Sequence, residues 1–579
     1  MREVSWRGEG VAVGEEWLRV PVGADAERWV TRGDVRTVLF VVHNVTSATR
    51  LLDVLPLFDG EWGVQCLATC TGSSPFLAGV PELLAGAGLP VLPWAQAKEM
   101  AVDLVVSASY GGELHALRGK LTVLSHGVGY NKRLATPGNG TPVAPVFGLD
   151  PQWLLHDGAP LASATVLSHP EQLERLRRSC PEAAGTAVLA GDPCFDRMLA
   201  SRAARPALRR GFGVADGQRL VVLNSTWGPR SLFGQVELGR LIDRLTALPV
   251  DEYRLCAVLH PNIWYGHGPG QVRRWLRYAQ AAGLTLIDPL GPWRQAVVAA
   301  DCLIGDHGSV TFYAAALGVP VLLGAFPEQD LDPRSPVAEL GRAAPRLLPH
   351  EPLRQQLESV MEGHRPERYA PVTAQVTSCP GESARRLRAL FHRLLRLPEP
   401  ARPALLERLP VPEDTGQAIE VPLRVLTSAR GGEDGGPPEV IVARYASTAV
   451  EPEERQADDA HTVVPVDTCD TGRLPAAELV VTYRPLHPRA WAAEALAEHP
   501  YAAMAVAVTG VGRCLTRTRE GLVRELTARP GADGFPDPCD PAAYASALYA
   551  LSGPTAATGG RMVVVTGRSR HHVDIGAGH

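Results

Sequence analysis

Ala299-Ala-Asp-Cys-Leu-Ile-Gly-Asp-His-Gly-Ser-Val-Thr-Phe-Tyr-Ala-Ala-Ala-Leu-Gly-Val-Pro-Val-Leu-Leu323 reads as strand, tight turn, helix, glycine stop and strand. Cys302 to Gly305 is a short apolar run of the kind buried in a parallel sheet. Asp306-His307-Gly308-Ser309 turns the chain. Ser309 is expected to cap a helix running to Leu317, with Gly318 at its C′ position. Pro320 then blocks helix continuation, and Val321-Leu322-Leu323 begins the next strand. A helix opening just past a strand, with Gly308, Ser309 and Val310 at its mouth, offers N–H groups and a positive dipole end to an anion. That pattern suits a phosphate. An ordinary, well-capped βαβ unit has the same pattern, so the surrounding sequence has to decide.

Outward from this segment the chain alternates strands and helices. Arg36–Val42 is an apolar strand, followed by a helix with Thr46 or Ser47 at its start. Further strands are expected at 64–68, 102–107 and 121–125. After Arg210 a second set is expected at 220–223, 253–259, 284–287, 302–305 and 320–323. Each set indicates a Rossmann-like α/β lobe. The expected boundaries are 1–200 for the first lobe and 201–397 for the second. A basic helix over 381–397 bridges them, 398–417 is a linker, and 418–579 is a third, smaller α/β domain. The tail Ser569–His579 is expected to be disordered. No Gly-x-Gly-x-x-Gly dinucleotide fingerprint occurs.

Composition narrows the function classes. The chain has 579 residues, ordinary apolar content and a formal charge of −5. That charge argues against a nucleic-acid binder, whose domain would be strongly basic. The ten cysteines are scattered without zinc spacing, which suits a reducing cytosol. The N-terminus lacks the apolar core of a signal peptide, and no run is long enough to span a membrane. In the 381–397 helix, Arg385, Arg386, Arg388, Arg393 and Arg396 alternate with leucines and Phe391. Such a helix can pack against the lobes with its arginines in solvent, or lie on the inner face of an anionic membrane.

The chemistry-bearing motifs sit where strands hand over to loops. They are Leu124-Ser-His126-Gly127-Val-Gly129, Ala190-Gly-Asp192-Pro-Cys-Phe-Asp196-Arg197 and Ser225-Thr226-Trp227-Gly-Pro-Arg230. Leu259-His260-Pro261, Asp306-His-Gly-Ser309 and Gly381-Glu-Ser-Ala-Arg-Arg386 follow. In open α/β sheets those strand ends border the ligand crevice. A histidine there can deprotonate an acceptor hydroxyl near neutral pH. Arg230 suits bidentate phosphate contact. The helix mouth at Gly308, Ser309 and Val310 suits the charge on a leaving nucleoside phosphate. No acidic pair has a metal-binding setting, so a metal-independent site without a separate cofactor is expected.

Taken in order, the series resembles the CDP-glycerol:polyglycerophosphate glycerophosphotransferases, the teichoic acid polymerases, over residues 120–395. The resemblance implies a GT-B fold, a nucleotide-linked donor and a hydroxyl acceptor, in cell-envelope polymer or glycoconjugate synthesis. It implies catalytic roles for His126 and His260. It places Thr226, Trp227 and Arg230 with the donor, and puts Ser309 on its pyrophosphate. Gly127, Asp306 and Asp330 are supporting positions. The motifs depart from the family at Ser125, where tryptophan is usual, at Val128-Gly129, at Cys194 and at His307-Gly308. The segment 306–323 also resembles the Asp-Ser-Gly-Gly region of UDP-N-acetylglucosamine 2-epimerases. A GT-B binding protein that has lost catalysis is the third reading.

Overall fold

In the computed structural model, the structure describes residues 17–23, 25–134, 144–413, 419–431, 436–447, 457–468, 470–531, 534, 536–551 and 560–578. The chain forms two compact units. The first is Met1–Arg197, Asp330–Ser335 and Ala374–Glu407; the second is Met198–Gln329, Pro336–Thr373 and Arg408–His579.

The first unit is built on nine strands. They are Arg36–Val42 (β1), Val64–Cys70 (β2), Val91–Leu92 (β3), Ala101–Ser107 (β4), Arg118–Val123 (β5), Leu155–His156 (β6), Ala159–Pro160 (β7), Ala164–Leu167 (β8) and Ala187–Leu189 (β9). All but the small β6–β7 hairpin form one parallel sheet, ordered β3-β2-β1-β4-β5-β8-β9. Strand β1 is buried from Val38 to Val42, as a central parallel strand must be. The helix Val45–Val54 begins with a reciprocal cap between Asn44 and Ser47.

The basic helix, Ser383–Leu395, belongs to this first unit. The buried Asp196 carboxylate anchors its start, accepting from Gly381 N at 2.7 Å, Ser383 N at 3.0 Å and the Ser383 hydroxyl at 2.5 Å. Phe391 stacks on Phe58 at 5.3 Å. Arg388 leaves the basic face altogether, since it is buried against Glu399 at 3.2 Å. Asp196→Ala is expected to strand the buried Ser383 amide and hydroxyl and cost about 1–3 kcal/mol. Limited proteolysis should then cut near residues 381–395 earlier than in wild type. An unchanged cleavage pattern counts against this anchor.

The second unit holds a five-stranded parallel sheet of Arg219–Ser225 (β10), Tyr253–Leu259 (β11), Leu284–Ile287 (β12), Cys302–Gly305 (β13) and Val321–Leu323 (β14). Its order is β12-β11-β10-β13-β14. The two Rossmann-like sheets expected from the sequence are therefore present.

The last part of the chain differs from expectation. It is a closed barrel of nine strands: Leu423–Arg430 (β15), Glu439–Ala446 (β16), Asp459–Pro465 (β17), Leu479–Thr482 (β18), Met504–Gly510 (β19), Arg513–Thr518 (β20), Val523–Ala528 (β21), Gly560–Thr566 (β22) and Ser569–Ala577 (β23). Most neighbours are antiparallel; β16–β22, β17–β18 and β18–β19 are parallel. The helix Pro541–Leu551, apolar on every side, is buried from Pro541 to Ala547 in the same core as the inward residues Val425, Val440 and Val564. The tail expected to be disordered is β23, paired on both sides by β21 and β22. Its His571 is buried, 2.7 Å from Asp537 and 2.9 Å from Thr566. The polar composition misled because a strand with one exposed face alternates polar with apolar residues.

The barrel packs on the second lobe. Glu420 N donates to Ala281 O at 2.7 Å, and the Ser569 hydroxyl donates to Asp216 O at 2.6 Å. Among the described residues no helix is long and apolar enough to cross a membrane. The nine described cysteines are all free thiols.

Candidate functional site

In the second unit the strand order reverses between β10 and β13. Beyond the carboxyl ends of such a pair an open α/β sheet has its ligand crevice. Residues 225–232 leave β10 there, and residues 306–309 leave β13. The Asp306 carboxylate, 1% exposed, ties the two loops together. It accepts from Thr226 N at 2.9 Å, Leu232 N at 3.0 Å, Gly308 N at 3.0 Å and the Ser225 hydroxyl at 3.2 Å.

That carboxylate also moves the start of the helix. The N-cap is Gly308, and Ser309 is the first residue of the helix Ser309–Ala316. Asp306 takes the Gly308 N–H and keeps Gly308 extended, so the expected serine cap does not form. A Cβ on Gly308 would lie 3.1 Å from both Thr226 Cβ and the Asp306 carboxylate, so a side chain there would have to push these neighbours back by a few tenths of an ångström. Ser309 and Val310 are half-buried while Cys302–Gly308 is buried, so the helix mouth is the open part of this segment. At the other end Gly318 has φ +82° and sits at C′. Val319 N reaches Ala314 O and Gly318 N reaches Ala315 O, a Schellman closure.

His260 follows β11 and caps the helix Pro261–His267. Its Nδ1 accepts from Asn262 N at 3.1 Å. A backbone amide can only donate, so Nδ1 carries the lone pair and the neutral ring keeps its proton on Nε2. The ring lies 6.4 Å from that of Trp227, which is exposed at the end of β10. The structure thus gathers Thr226, Trp227, His260, Asp306, Gly308 and Ser309, with Val310 next along the helix. Arg230 is exposed further along the Trp227 loop. Asp330 lies with the first unit, its carbonyl accepting from Arg133 N at 2.8 Å.

In the first unit the order reverses between β1 and β4. His43 leaves β1, Ala108–Gly111 leave β4, and His126 follows the next strand, β5. His126 Nδ1 lies 3.0 Å from Ala108 O. A carbonyl can only accept, so Nδ1 carries the proton and Nε2 the lone pair. His126 is exposed by surface area, yet the protein packed around its ring penalises the charged form. That desolvation lowers its pKa to about 4. The bond to Ala108 opposes the shift, while the positive charges of Arg50 and Lys132 favour it. Gly127 belongs to a turn drawn together by Ser125, whose hydroxyl donates to Gly127 O at 2.9 Å and Gly129 O at 3.2 Å. Ser125, where the resembled family has tryptophan, thus shapes the histidine loop.

One residue of this region went unread in the sequence. His43 stands directly after its strand, the same placement that singled out His126 and His260, and that placement was the available signal. Among the described residues no group of three or more His, Cys, Asp or Glu side chains is arranged to hold a metal ion.

No protein-family model and no curated protein matches the sequence. Among solved structures, the chain is similar to the wall teichoic acid polymerase TagF at 14% identity, over 63% of this chain and 90% of that one, with a TM-score of 0.42. It is similar to a glycosyltransferase from Rickettsia africae at 11% identity, over 63% and 100% of the two chains, with a TM-score of 0.38. It is similar to the UDP-GlcNAc 2-epimerase from Neisseria meningitidis, solved with UDP-GlcNAc, at 12% identity over 62% and 99%, with a TM-score of 0.38.

Proposed function

We propose that this chain is a GT-B-type transferase that moves a glycerophosphate or glycosyl group from a nucleotide-activated donor to a hydroxyl acceptor. The observation that carries this reading is the site at the strand ends of the second unit, where Asp306 joins the Thr226 and Gly308 loops beside Trp227 and His260. His126 offers a lone pair at Nε2, and His260 offers a proton at Nε2.

His126 Nε2 takes the proton of the acceptor hydroxyl. The acceptor oxygen forms its bond to phosphorus, or to the anomeric carbon, as the bond to the leaving nucleotide breaks. The electron pair of that bond stays on the nucleotide phosphate. His260 Nε2–H and the first-turn amides at Ser309 and Val310 meet that charge, helped by the helix dipole. Arg230 adds a guanidinium to the phosphates, and the Trp227 ring offers an apolar face to the base. His126 keeps its lone pair at neutral pH because desolvation disfavours the charged ring.

The test is incubation with CDP-glycerol and with UDP-sugars, reading release of CMP or UDP. Formation of a 2-epimer with no transfer identifies the epimerase reading. Nucleotide binding without turnover, across a panel of hydroxyl acceptors, identifies a binding protein. Donor at about 100 times its Kd should raise stability by about 2.7 kcal/mol in a thermal-shift assay.

Ser309→Ala removes one hydroxyl at the helix mouth and should weaken nucleotide affinity by about 0.5–1.5 kcal/mol, the worth of one hydrogen bond. Equal affinity for every nucleotide that binds wild type rejects this placement. His260→Ala should weaken donor binding by more, about 1.5–3 kcal/mol, because a hydrogen bond to a charged group is lost. Isothermal titration with the same nucleotide measures both.

A further inference from the structure

We infer that His43 is a positioning residue for His126, holding the turn whose carbonyl dictates which ring nitrogen of His126 carries the proton. The inference deepens the proposed role of His126 and rests on that reading for its catalytic meaning, though not for its test.

His43 directly follows β1 and is 3% exposed. Its backbone N–H donates to the Ser47 hydroxyl at 2.9 Å, so the cap of the helix Val45–Val54 fixes its place. Its Nε2 lies 2.6 Å from Gly111 O, and since a carbonyl only accepts, Nε2 is the donor. Gly111 closes the turn that leaves β4. The Ser107 hydroxyl donates to Ser109 O at 2.6 Å, and Gly111 N donates to the Ser109 hydroxyl at 3.3 Å. Contact is close at this point: a Cβ on Gly111 would meet His43 Cδ2 at 3.3 Å.

The same turn presents the Ala108 carbonyl to His126 Nδ1. Arg50, on the helix that His43 precedes, donates from Nε to His126 O at 3.2 Å. One capped helix therefore grips the His126 loop directly through Arg50. It reaches the same loop indirectly, through His43, Gly111 and Ala108. Free imidazole favours the Nε2–H tautomer, which cannot accept a proton at Nε2. The Ala108 carbonyl reverses that preference, and His43 keeps the carbonyl in place. The buried His43 ring stays neutral, because burial lowers its pKa. A further positive charge beside His126, on top of those of Arg50 and Lys132, is thereby avoided.

The experiment reads the tautomer, not the reaction. The full-length protein is labelled with ¹⁵N-histidine, and two-bond ¹H–¹⁵N spectra are recorded at pH 7, with His126 assigned by its loss in His126→Ala. In wild type His126 should show the Nδ1–H pattern. His43→Ala should convert it to a mixture dominated by Nε2–H. His43→Gln, whose side-chain N–H can reach the position of the imidazole Nε2, should restore the wild-type pattern. His43→Asn, with a donor too short to reach Gly111 O, should behave like alanine and serves if the alanine variant does not fold. A folded His43→Ala or His43→Asn protein that keeps the Nδ1–H pattern overturns the inference. Failure of the transfer assay alongside the expected spectra would sink the transferase reading and leave this one standing.

Discussion

His126→Ala is expected to lower turnover by about 10²–10⁴-fold, the usual worth of a general base. That factor corresponds to about 2.7–5.4 kcal/mol of barrier. Donor affinity should survive, because the residues proposed to hold the nucleotide belong to the second unit. The pH profile makes the prediction sharper. The base acts only while Nε2 is unprotonated, so its contribution is present above its pKa and lost as pH falls through it. With that pKa near about 4, the acid limb of kcat/KM should lie near pH 4 and not near 6.5, where an ordinary histidine titrates. A limb near 6.5 in wild type rules out the desolvated histidine as the group that titrates. Abolished nucleotide binding in His126→Ala, with binding intact in His260→Ala, reverses the two roles. Full activity in both variants leaves neither histidine with a catalytic part.

Arg444→Ala is expected to destabilise the second unit by about 3–5 kcal/mol, the cost of leaving buried charge without its partner. Arg444 stands on β16 and is 2% exposed. It binds Asp251 of the second lobe twice, at 2.9 and 2.6 Å, and Asp540 of the barrel at 2.5 Å. Asp540 also accepts from the Tyr483 hydroxyl at 2.9 Å and from Ala542 N at 3.0 Å, at the start of the barrel's buried helix. Burial works against the guanidinium charge, but the two carboxylates outweigh it and hold its pKa above the ordinary value. Removing the arginine leaves two half-buried carboxylates, Asp251 and Asp540, without their shared partner. Urea unfolding, followed by fluorescence, measures the loss. Arg444→Lys keeps a charge but not the paired geometry, and should fall between wild type and alanine. A change below about 1 kcal/mol in the alanine variant would mean that solvent already relieves these charges.

Much of the architecture was legible in the chain. The apolar runs at 36–42, 253–259, 284–287 and 302–305 coincide with observed strands because a parallel strand is buried on both faces, so its signal is continuous. The missed strands are of the other kind. Arg513–Thr518 and Val523–Ala528 carry polar residues on one face. Their best signals were the glycine turns at Thr509-Gly-Val-Gly512 and Arg519-Glu-Gly521, which fit tight hairpin connections. The short strand Ala164–Leu167 is only four residues, too brief to show a period.

The site divides along the same line. The sequence by itself determined which residues stand at the ends of strands: His126, Thr226, His260 and the 306–309 turn. Local pattern suffices there, because a strand end is marked by where an apolar run stops. It determined Gly318 as a helix stop for the same reason, since a left-handed C′ residue is a one-residue requirement. Only the tertiary structure decided which partners each residue meets at its place. The proton position on His126 depends on a carbonyl eighteen residues earlier, at Ala108. Asp306 displaces the expected Ser309 cap by holding amides brought from Thr226 and Leu232 on another strand's loop. The barrel closes through β15–β17 and β16–β22, pairings between segments distant in sequence, and so the tail becomes a strand. Hydrogen bonds of this kind cost nothing in local propensity and leave no periodic trace; they exist because folding brings the partners together.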